Sequence, residues 1–324
     1  MSPDSPGSVP SSGGGLRAES DAERAERMRC PGPPNVPGRS PTVSLAGCSA
    51  PSSLTELLQL LHEEPDAQLL AGGTDFMVEV NFGHRRPRSV IALHGVAELG
   101  GWQQVDGRLV LGAGLTYTEM LQEPLAGLLP ALAQAARTVG SPQIRNAGTL
   151  GGNLGTGSPA GDTLPVLIAL DAMVELASAS GRRQVPVHEF CQGPKLTDRR
   201  PDEVIVAVHV PVLQGPQEFL KVGTRNAMVI SVASVALVTD RIGGAVRCGL
   251  GSVGPVPLRC ADAEAWVAER LPWGGGELHA GLADEFGRRA AAAAAPITDH
   301  RSTAEYRRHA ISVCAARALR RAFA

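Results

Sequence analysis

Leu69-Leu70-Ala71-Gly72-Gly73-Thr74-Asp75-Phe76 is the stretch that organises the chain. Residues from Ala67 to Leu70 read as a strand, two adjacent glycines end it, and the run from Phe76 to Asn81 reads as a helix. Strand, glycine turn and helix in that order make an anion cradle. Glycine takes φ > 0 freely, so successive backbone N–H groups converge, and the Thr74 hydroxyl adds a donor. Each hydrogen bond to a charged group contributes about 1.5–3 kcal/mol, so several hold a pyrophosphate without Lys or Arg. The same residues also fit a plain tight turn from strand to helix.

A second glycine-rich stretch decides between these readings. Ser141-Pro142-Gln143-Ile144-Arg145-Asn146-Ala147-Gly148-Thr149-Leu150-Gly151-Gly152-Asn153-Leu154-Gly155-Thr156-Gly157-Ser158-Pro159-Ala160-Gly161-Asp162 mixes glycines with hydroxyls and an amide. Regular core packing is not expected there, and the stretch reads as a ligand-facing loop whose run from Gly148 to Asn153 forms another amide cradle. Thr149, Asn153, Thr156, Ser158 and Asp162 offer side-chain groups to ribose, ribityl or phosphate oxygens. Two such stretches suggest a long ligand with two phosphates, gripped from both sides.

Around them the chain falls into three parts. Residues 1–47 are rich in Ser, Gly and Pro and read as a disordered extension. Order is expected from Ser53, where Ser53 to Glu56 is a capping box opening a helix with Leu54, Leu57, Leu58 and Leu61 on one side. Strands are expected at Ser89 to Leu93, Arg108 to Gly112, Met173 to Ala177 and Glu203 to Val210, with helices at Leu125 to Arg137 and Leu164 to Leu170. After Gln214-Gly215-Pro216 the pattern changes to strands at Phe219 to Gly223, Ile230 to Val238 and Ala245 to Leu250, then to helices from Ala261. The last helix opens with a capping box at Ser302 to Glu305 and puts Tyr306, Ala310, Val313 and Cys314 on one stripe. Arg307, Arg308, Arg317, Arg320 and Arg321 read as a solvated face, or as a dock for a partner.

Composition removes several function classes. The 324 residues carry 30 Lys plus Arg against 32 Asp plus Glu, a net charge of −2 that provides no global field for nucleic acid or an anionic membrane. No apolar run approaches the roughly 18 residues that span a bilayer. The start has no apolar core and carries acids at Asp4 and Glu19, which reads against a signal peptide and makes the cytoplasm the default address. The six cysteines are dispersed, without a CxxC pair, so zinc, haem and clustered iron–sulfur ligation are not expected and the thiols read as buried and reduced. No GxxxxGK[ST] or HExxH occurs. Gly112-Ala113-Gly114 starts like a dinucleotide fingerprint but has Tyr117 where that pattern needs Gly or Ala. His188 and His209 read as strand-end residues.

Leu69 to Asp75, Ile144-Arg145-Asn146 with Gly148 to Asn153, and Ser158 to Asp162 together resemble the FAD-binding subunit or domain of the xanthine dehydrogenase and carbon monoxide dehydrogenase family of molybdenum hydroxylases. Glu203 to Pro211, Phe219 to Arg225, Gly251 to Pro257 and Ser302 to Arg308 fit the same family. The resemblance runs from about Pro51 to the C-terminus.

The fold it implies is α+β. A flavin-binding domain of the PCMH type, shared with vanillyl-alcohol oxidase, has two subdomains clasping FAD over residues 48–214, and a C-terminal α+β domain covers 215–324. By the family's pattern Leu69, Leu70, Ala71, Gly72, Gly73, Thr74, Asp75 and Phe76 wrap the pyrophosphate, and Thr149, Gly151, Gly152, Asn153 and Thr156 complete the cradle. Asp162 matches an acid that bonds FAD hydroxyls, Lys221 a lysine near the cofactor and Ile205 an apolar residue beside the ring. Ala113 stands where some members place a Phe close to the flavin. Asp75 either tunes the ring or caps the helix at Phe76.

In that family a molybdenum-binding large subunit oxidises the substrate, and an iron–sulfur small subunit passes electrons to FAD, which delivers them to NAD or another acceptor. The resemblance implies FAD in this chain, molybdopterin and iron–sulfur clusters only in partner subunits, and no catalytic side chain or metal here, since flavin N5 carries the chemistry. A free-standing flavin oxidase or dehydrogenase of the same fold, and a non-catalytic nucleotide-binding assembly module, are the alternatives.

Overall fold

The computed structural model describes residues 47–324, so the extension expected over residues 1–47 lies, up to Ala46, outside the described residues. The chain begins with strand β1 (Gly47–Ser49), helix α1 (Leu54–Glu63), β2 (Gln68–Leu70), α2 (Phe76–Asn81) and β3 (Ser89–Ala92). These strands form a parallel sheet in the order β1-β3-β2, the pairing that helical crossovers impose. Leu54, Leu57 and Leu61 bury one face of α1 against Ile91 and Val96. The Ser53 hydroxyl caps the Glu56 amide at 3.2 Å, but the Glu56 carboxylate reaches back to the Ser52 amide, so the box closes one residue earlier than its pattern suggests.

The second lobe holds β4 (Trp102–Val105), β5 (Arg108–Gly112), α3 (Leu125–Leu128), α4 (Pro130–Thr138), α5 (Pro142–Ala147), α6 (Leu150–Thr156) and α7 (Leu164–Ala169). It continues through β6 (Met173–Ser178), β7 (Gly181–Pro186), α8 (Val187–Phe190), the hairpin β8 (Cys191–Gly193) with β9 (Leu196–Thr197), and β10 (Val204–Pro211). An antiparallel sheet runs β4-β5-β10-β6-β7. The helix expected from Leu125 to Arg137 is divided at Leu129, because Pro130 pushes the residue before it out of the helical region.

The expectation that 141–162 is an irregular loop without core packing is corrected. Ser141 and Thr149 cap α5 and α6, and Leu150 and Leu154 are wholly buried in the second lobe's core. Glycines there serve close packing. A β-carbon on Gly151 would meet Ala113 Cβ at 2.6 Å, and one on Gly148 the Tyr117 ring at 2.7 Å. The GxG of 112–114 has the same use, since a β-carbon at Gly112 would lie 2.3 Å from the Leu99 carbonyl oxygen.

The remaining elements are β11 (Gln217–Val222), β12 (Ala233–Asp240), β13 (Ala245–Gly251), β14 (Leu258–Arg259), α9 (Ala261–Ala268), α10 (Leu282–Ala292) and α11 (Ala304–Ala322). The four strands make an antiparallel sheet in sequence order. β12 starts at Ala233, not Ile230, and Ile230 is exposed. The sheet meets α7 where a β-carbon on Gly249 would sit 1.9 Å from the Pro165 carbonyl oxygen.

Three expectations for α11 change. Thr303, not Ser302, is its cap, accepting from the Tyr306 amide at 3.2 Å, because Ser302 pairs with Asp299 in a short bridge. Ala310 and Cys314 are buried, but Tyr306 and Val313 are exposed. Arg307 is not on a solvated face: it is buried, bonding the Val232 and Ser252 carbonyls and Asp299, whereas Arg308, Arg317, Arg320 and Arg321 are exposed. Of the described cysteines, Cys191, Cys248, Cys260 and Cys314 are buried free thiols, and Cys48 is exposed. No helix among the described residues is long and apolar enough to cross a membrane.

Candidate functional site

The turn after β2 needs its glycines for two different reasons. Gly73 has φ +72°, in the left-handed region that residues with a β-carbon avoid. Gly72 is pressed against the other glycine segment: a β-carbon there would lie 1.7 Å from the Ala147 carbonyl oxygen. Two stretches some 75 positions apart in sequence are thereby in backbone contact. Beside that contact opens a cavity of about 950 Å3.

The two stretches contribute unequally. Among the described residues, the backbone amides of Ala71 to Phe76 donate to no protein acceptor. In the second stretch the amides other than that of Thr149 are committed, among them Leu150 to the Leu115 carbonyl at 2.9 Å, Gly151 to the Ala113 carbonyl at 2.7 Å and Gly152 to Thr149 Oγ1 at 3.0 Å. The second amide cradle expected over Gly148 to Asn153 is therefore corrected. Helix formation and docking on the end of β5 use those donors, and this stretch contributes close approach and hydroxyl groups instead.

Most of the residues singled out in sequence line the cavity. Leu69, Ala71, Gly72, Gly73, Thr74, Asp75 and Phe76 come from the first stretch, and Thr149, Gly151, Gly152, Asn153 and Thr156 from the second. Ala113 lies at the end of β5 and Ile205 on β10, where the register shifts between Ile205 and Ala207; such a bulge re-aims side chains. Leu70, Asp162 and Lys221 do not line it. Asp75 stands at the start of α2 without a side-chain cap bond, and instead accepts from Thr156 Oγ1 at 3.2 Å.

Asp162 and Lys221 meet away from the cavity as a buried pair, Nζ to Oδ2 2.6 Å, each side chain 7% exposed. Lys221 also donates to the Thr138 carbonyl at 3.2 Å. Burial pushes the Asp162 carboxyl above the ordinary carboxylate range against the opposing pull of Lys221, and its Oδ1 is buried without a donor. Asn153 joins the same region, accepting from Thr163 Oγ1 at 2.6 Å. Burial first, then the charges of Asp162 and Asp75, hold the Tyr117 pKa far above its usual value, so the phenol stays neutral.

Sequence reasoning missed Tyr117, Glu79, Arg85, Lys195 and Arg199, all of which line the cavity. Arg85 stacks over the Phe76 ring at 4.9 Å and bonds Glu79 at 2.8 Å. Lys195 pairs with the other oxygen of Glu79. Its hydrogen bond is the largest influence on Glu79, and with Arg85 it holds that carboxyl below the usual range against a smaller effect of burial. Arg199 donates to the Glu203 carbonyl at 2.7 Å, beside the bidentate bond of Arg183 to the Glu203 carboxylate. No motif in the sequence marks these residues: Arg85 and Arg199 meet partners six and four positions away without a recognisable pattern, and Lys195 meets Glu79 only across 116 positions of chain.

Comparison with known proteins identifies the family. The family described as FAD binding domain in molybdopterin dehydrogenase matches residues 43–213, and the CO dehydrogenase flavoprotein C-terminal domain matches 218–322. The chain is 32% identical over 270 residues to the xanthine dehydrogenase FAD-binding subunit of Escherichia coli O157:H7, covering 80% of this chain and 90% of that one. It is 35% identical over 227 residues to the nicotinate dehydrogenase FAD-subunit of Eubacterium barkeri, covering 66% of this chain and 77% of that one. Carbon monoxide dehydrogenase from Hydrogenophaga pseudoflava, solved without the Mo-pyranopterin moiety of its molybdenum cofactor, superposes with a TM-score of 0.77 at 30% identity, covering 86% of this chain and 96% of that one.

Proposed function

The chain belongs to the FAD-binding subunits of the xanthine dehydrogenase and carbon monoxide dehydrogenase family of molybdenum hydroxylases, and from that premise we propose that it is the electron-exit subunit of such an enzyme. Its partners are a molybdenum-binding large subunit and an iron–sulfur small subunit, which carry molybdopterin and the clusters. The final acceptor is NAD or another oxidant.

The observation that carries this reading is the run of unpaired amides from Ala71 to Phe76 facing a cavity of about 950 Å3. That volume lies near the top of the roughly 300–1,000 Å3 of ordinary ligand sites, as a dinucleotide requires. Amides without a protein acceptor, clustered at a glycine turn beside a cavity, offer an anion several donors, and no lysine or arginine is needed to hold one. The residues present thus fit FAD.

When bound, FAD supplies the exchange of single electrons for a hydride. The chain's own residues bind and orient it. Amides of Ala71 to Phe76 take the phosphates, while Gly151 and Gly152 let the backbone come close. Thr149 and Thr156 offer hydroxyls to ribose or ribityl oxygens, with Asn153 holding the wall behind them. Ile205 and Ala113 form apolar walls, and the small Ala113 leaves room where a larger side chain would stack. Asp162 and Lys221 sit behind Tyr117 and Asn153 and act through them. We place the domain division at 214/215, where the pattern shifts to the four-stranded antiparallel sheet.

The test is direct. The purified chain mixed with FAD should show flavin absorbance, saturable binding by fluorescence quenching and, at most, NADH-dye reductase activity. Failure of a folded sample to take up FAD overturns the reading, and oxidation of an organic substrate by the isolated chain would make it a free-standing flavin enzyme instead.

A further inference from the structure

The cradle leaves Lys195 without a role, yet the residue is held in an unusual way. Its φ is +59°, in the turn of the β8–β9 hairpin, a conformation that residues with a β-carbon seldom adopt. The backbone there is fixed by the Lys195 amide, which donates to the Gly157 carbonyl at 2.9 Å and so ties the hairpin to the C-terminal end of α6. From this turn the ammonium reaches Glu79 on α2, 116 positions away. Among the described residues it is the single ion pair that joins the first lobe, residues 47–92, to any later part of the chain.

The geometry also places this pair at the cavity. Glu79, Arg85 and Lys195 all line it, and the side chain of Lys195 is 62% exposed, so the bridge stands at the mouth and not in the interior. Arg85 occupies the other oxygen of Glu79, which leaves the carboxylate oriented toward the hairpin.

Resting on the reading of the cavity as an FAD site, we propose that Lys195 is a positioning residue that fastens the β8–β9 hairpin to α2 across the mouth and sets how fast a bound dinucleotide leaves. Breaking the pair frees the hairpin from α2 while the Lys195 amide stays on Gly157, so the mouth loosens without unfolding. The strut is electrostatic and exposed, so salt weakens it: the Debye length falls from about 10 Å at ~0.1 M to about 3 Å at ~1 M. One exposed pair is worth about a two- to fivefold change in the equilibrium it controls.

The experiment loads the full chain with FAD and follows flavin fluorescence as an excess of a scavenging apo-flavoprotein captures released cofactor. Wild type should release FAD about two- to fivefold faster at ~1 M than at ~0.1 M NaCl. Lys195→Met should release it at the faster rate in both salts, and Lys195→Arg should restore both the slow rate and its salt dependence. In the FAD-free chain, amide hydrogen exchange of the hairpin should rise in Lys195→Met with no loss of overall fold. Equal, salt-sensitive release in Lys195→Met and wild type overturns this proposal while leaving the FAD site intact. If wild type takes up no FAD, the site reading and this proposal fall together.

Discussion

Thr156 Oγ1 lies 3.2 Å from Asp75 Oδ2, so a hydroxyl at the end of α6 donates to the carboxylate at the start of α2 across 81 positions of chain. The two glycine segments are therefore held together by side chains as well as by the contact of Gly72 with Ala147. Thr156→Val keeps the shape and removes the donor. One net hydrogen bond is worth about 0.5–1.5 kcal/mol, so FAD should bind about 2- to 10-fold more weakly, read by fluorescence titration, with little change in melting temperature.

Gly72→Ala brings a β-carbon to 1.7 Å from the Ala147 carbonyl oxygen, and both are backbone positions that cannot swing aside. The two segments must part. A stability loss of at least about 1–3 kcal/mol and loss of FAD uptake should follow, measured by denaturant unfolding and by flavin absorbance. Gly101→Ala is a useful contrast: it adds only the cost of φ +67° with open space around it, and should leave FAD binding unchanged.

Arg307→Met removes the charge that faces Asp299 and the carbonyls of Val232 and Ser252 in the C-terminal sheet. Asp299 keeps its bond to Arg301, so the cost is that of stranding two buried carbonyls, about 1–3 kcal/mol each, and calorimetry should show a correspondingly lower transition. Arg307→Lys should not restore it, because three acceptors in different directions need the planar fork.

Acid should weaken the fold through Glu203. Burial acts to raise its carboxyl, but Arg183, the Arg200 amide and nearby charge prevail and hold it below the ordinary value. A carboxyl depressed in the folded state lends stability that is present above its unfolded pKa of about 4.3 and is lost as pH falls toward the folded value. Asp162, raised by burial, works in the opposite sense and gains relative stability on protonation. Arg183→Gln should flatten the fall in unfolding free energy below about pH 4.3.

Thiol reactivity should separate the cysteines. Burial pushes the Cys191 thiol up to about 11, and Cys248, Cys260 and Cys314 are buried as well. In a Cys30→Ser background one thiol per chain, Cys48, should react with an aromatic disulfide at roughly pH 8, and the other four only on unfolding. Rapid labelling of more than one in the folded protein would contradict the packing.

Much of the fold was legible because it rests on local rules. The strand, glycine turn and helix at 67–81 are marked by their own residues, and the strands of the C-terminal sheet by their β-branched runs, although β12 begins later than its apolar pattern. The weak edge strands β4, β7, β8 and β9 carry polar or turn residues and gave no signal. The stretch 141–162 was misread because its glycines look like loop formers until Ala113, Tyr117 and Ala147 are placed against them.

Sequence by itself determined that two glycine-rich segments exist and which family the chain resembles, since those follow from residue type and spacing along one dimension, and the resemblance in turn implied the α+β class. Only the tertiary structure decided which segment keeps its amides free, that Arg307 is buried, and that Lys195, Arg85 and Glu79 meet at the cavity. The physical reason is that whether a donor is spent or available, and whether a charge is paired or solvated, depends on partners brought close by packing, and no spacing within the chain encodes those distances.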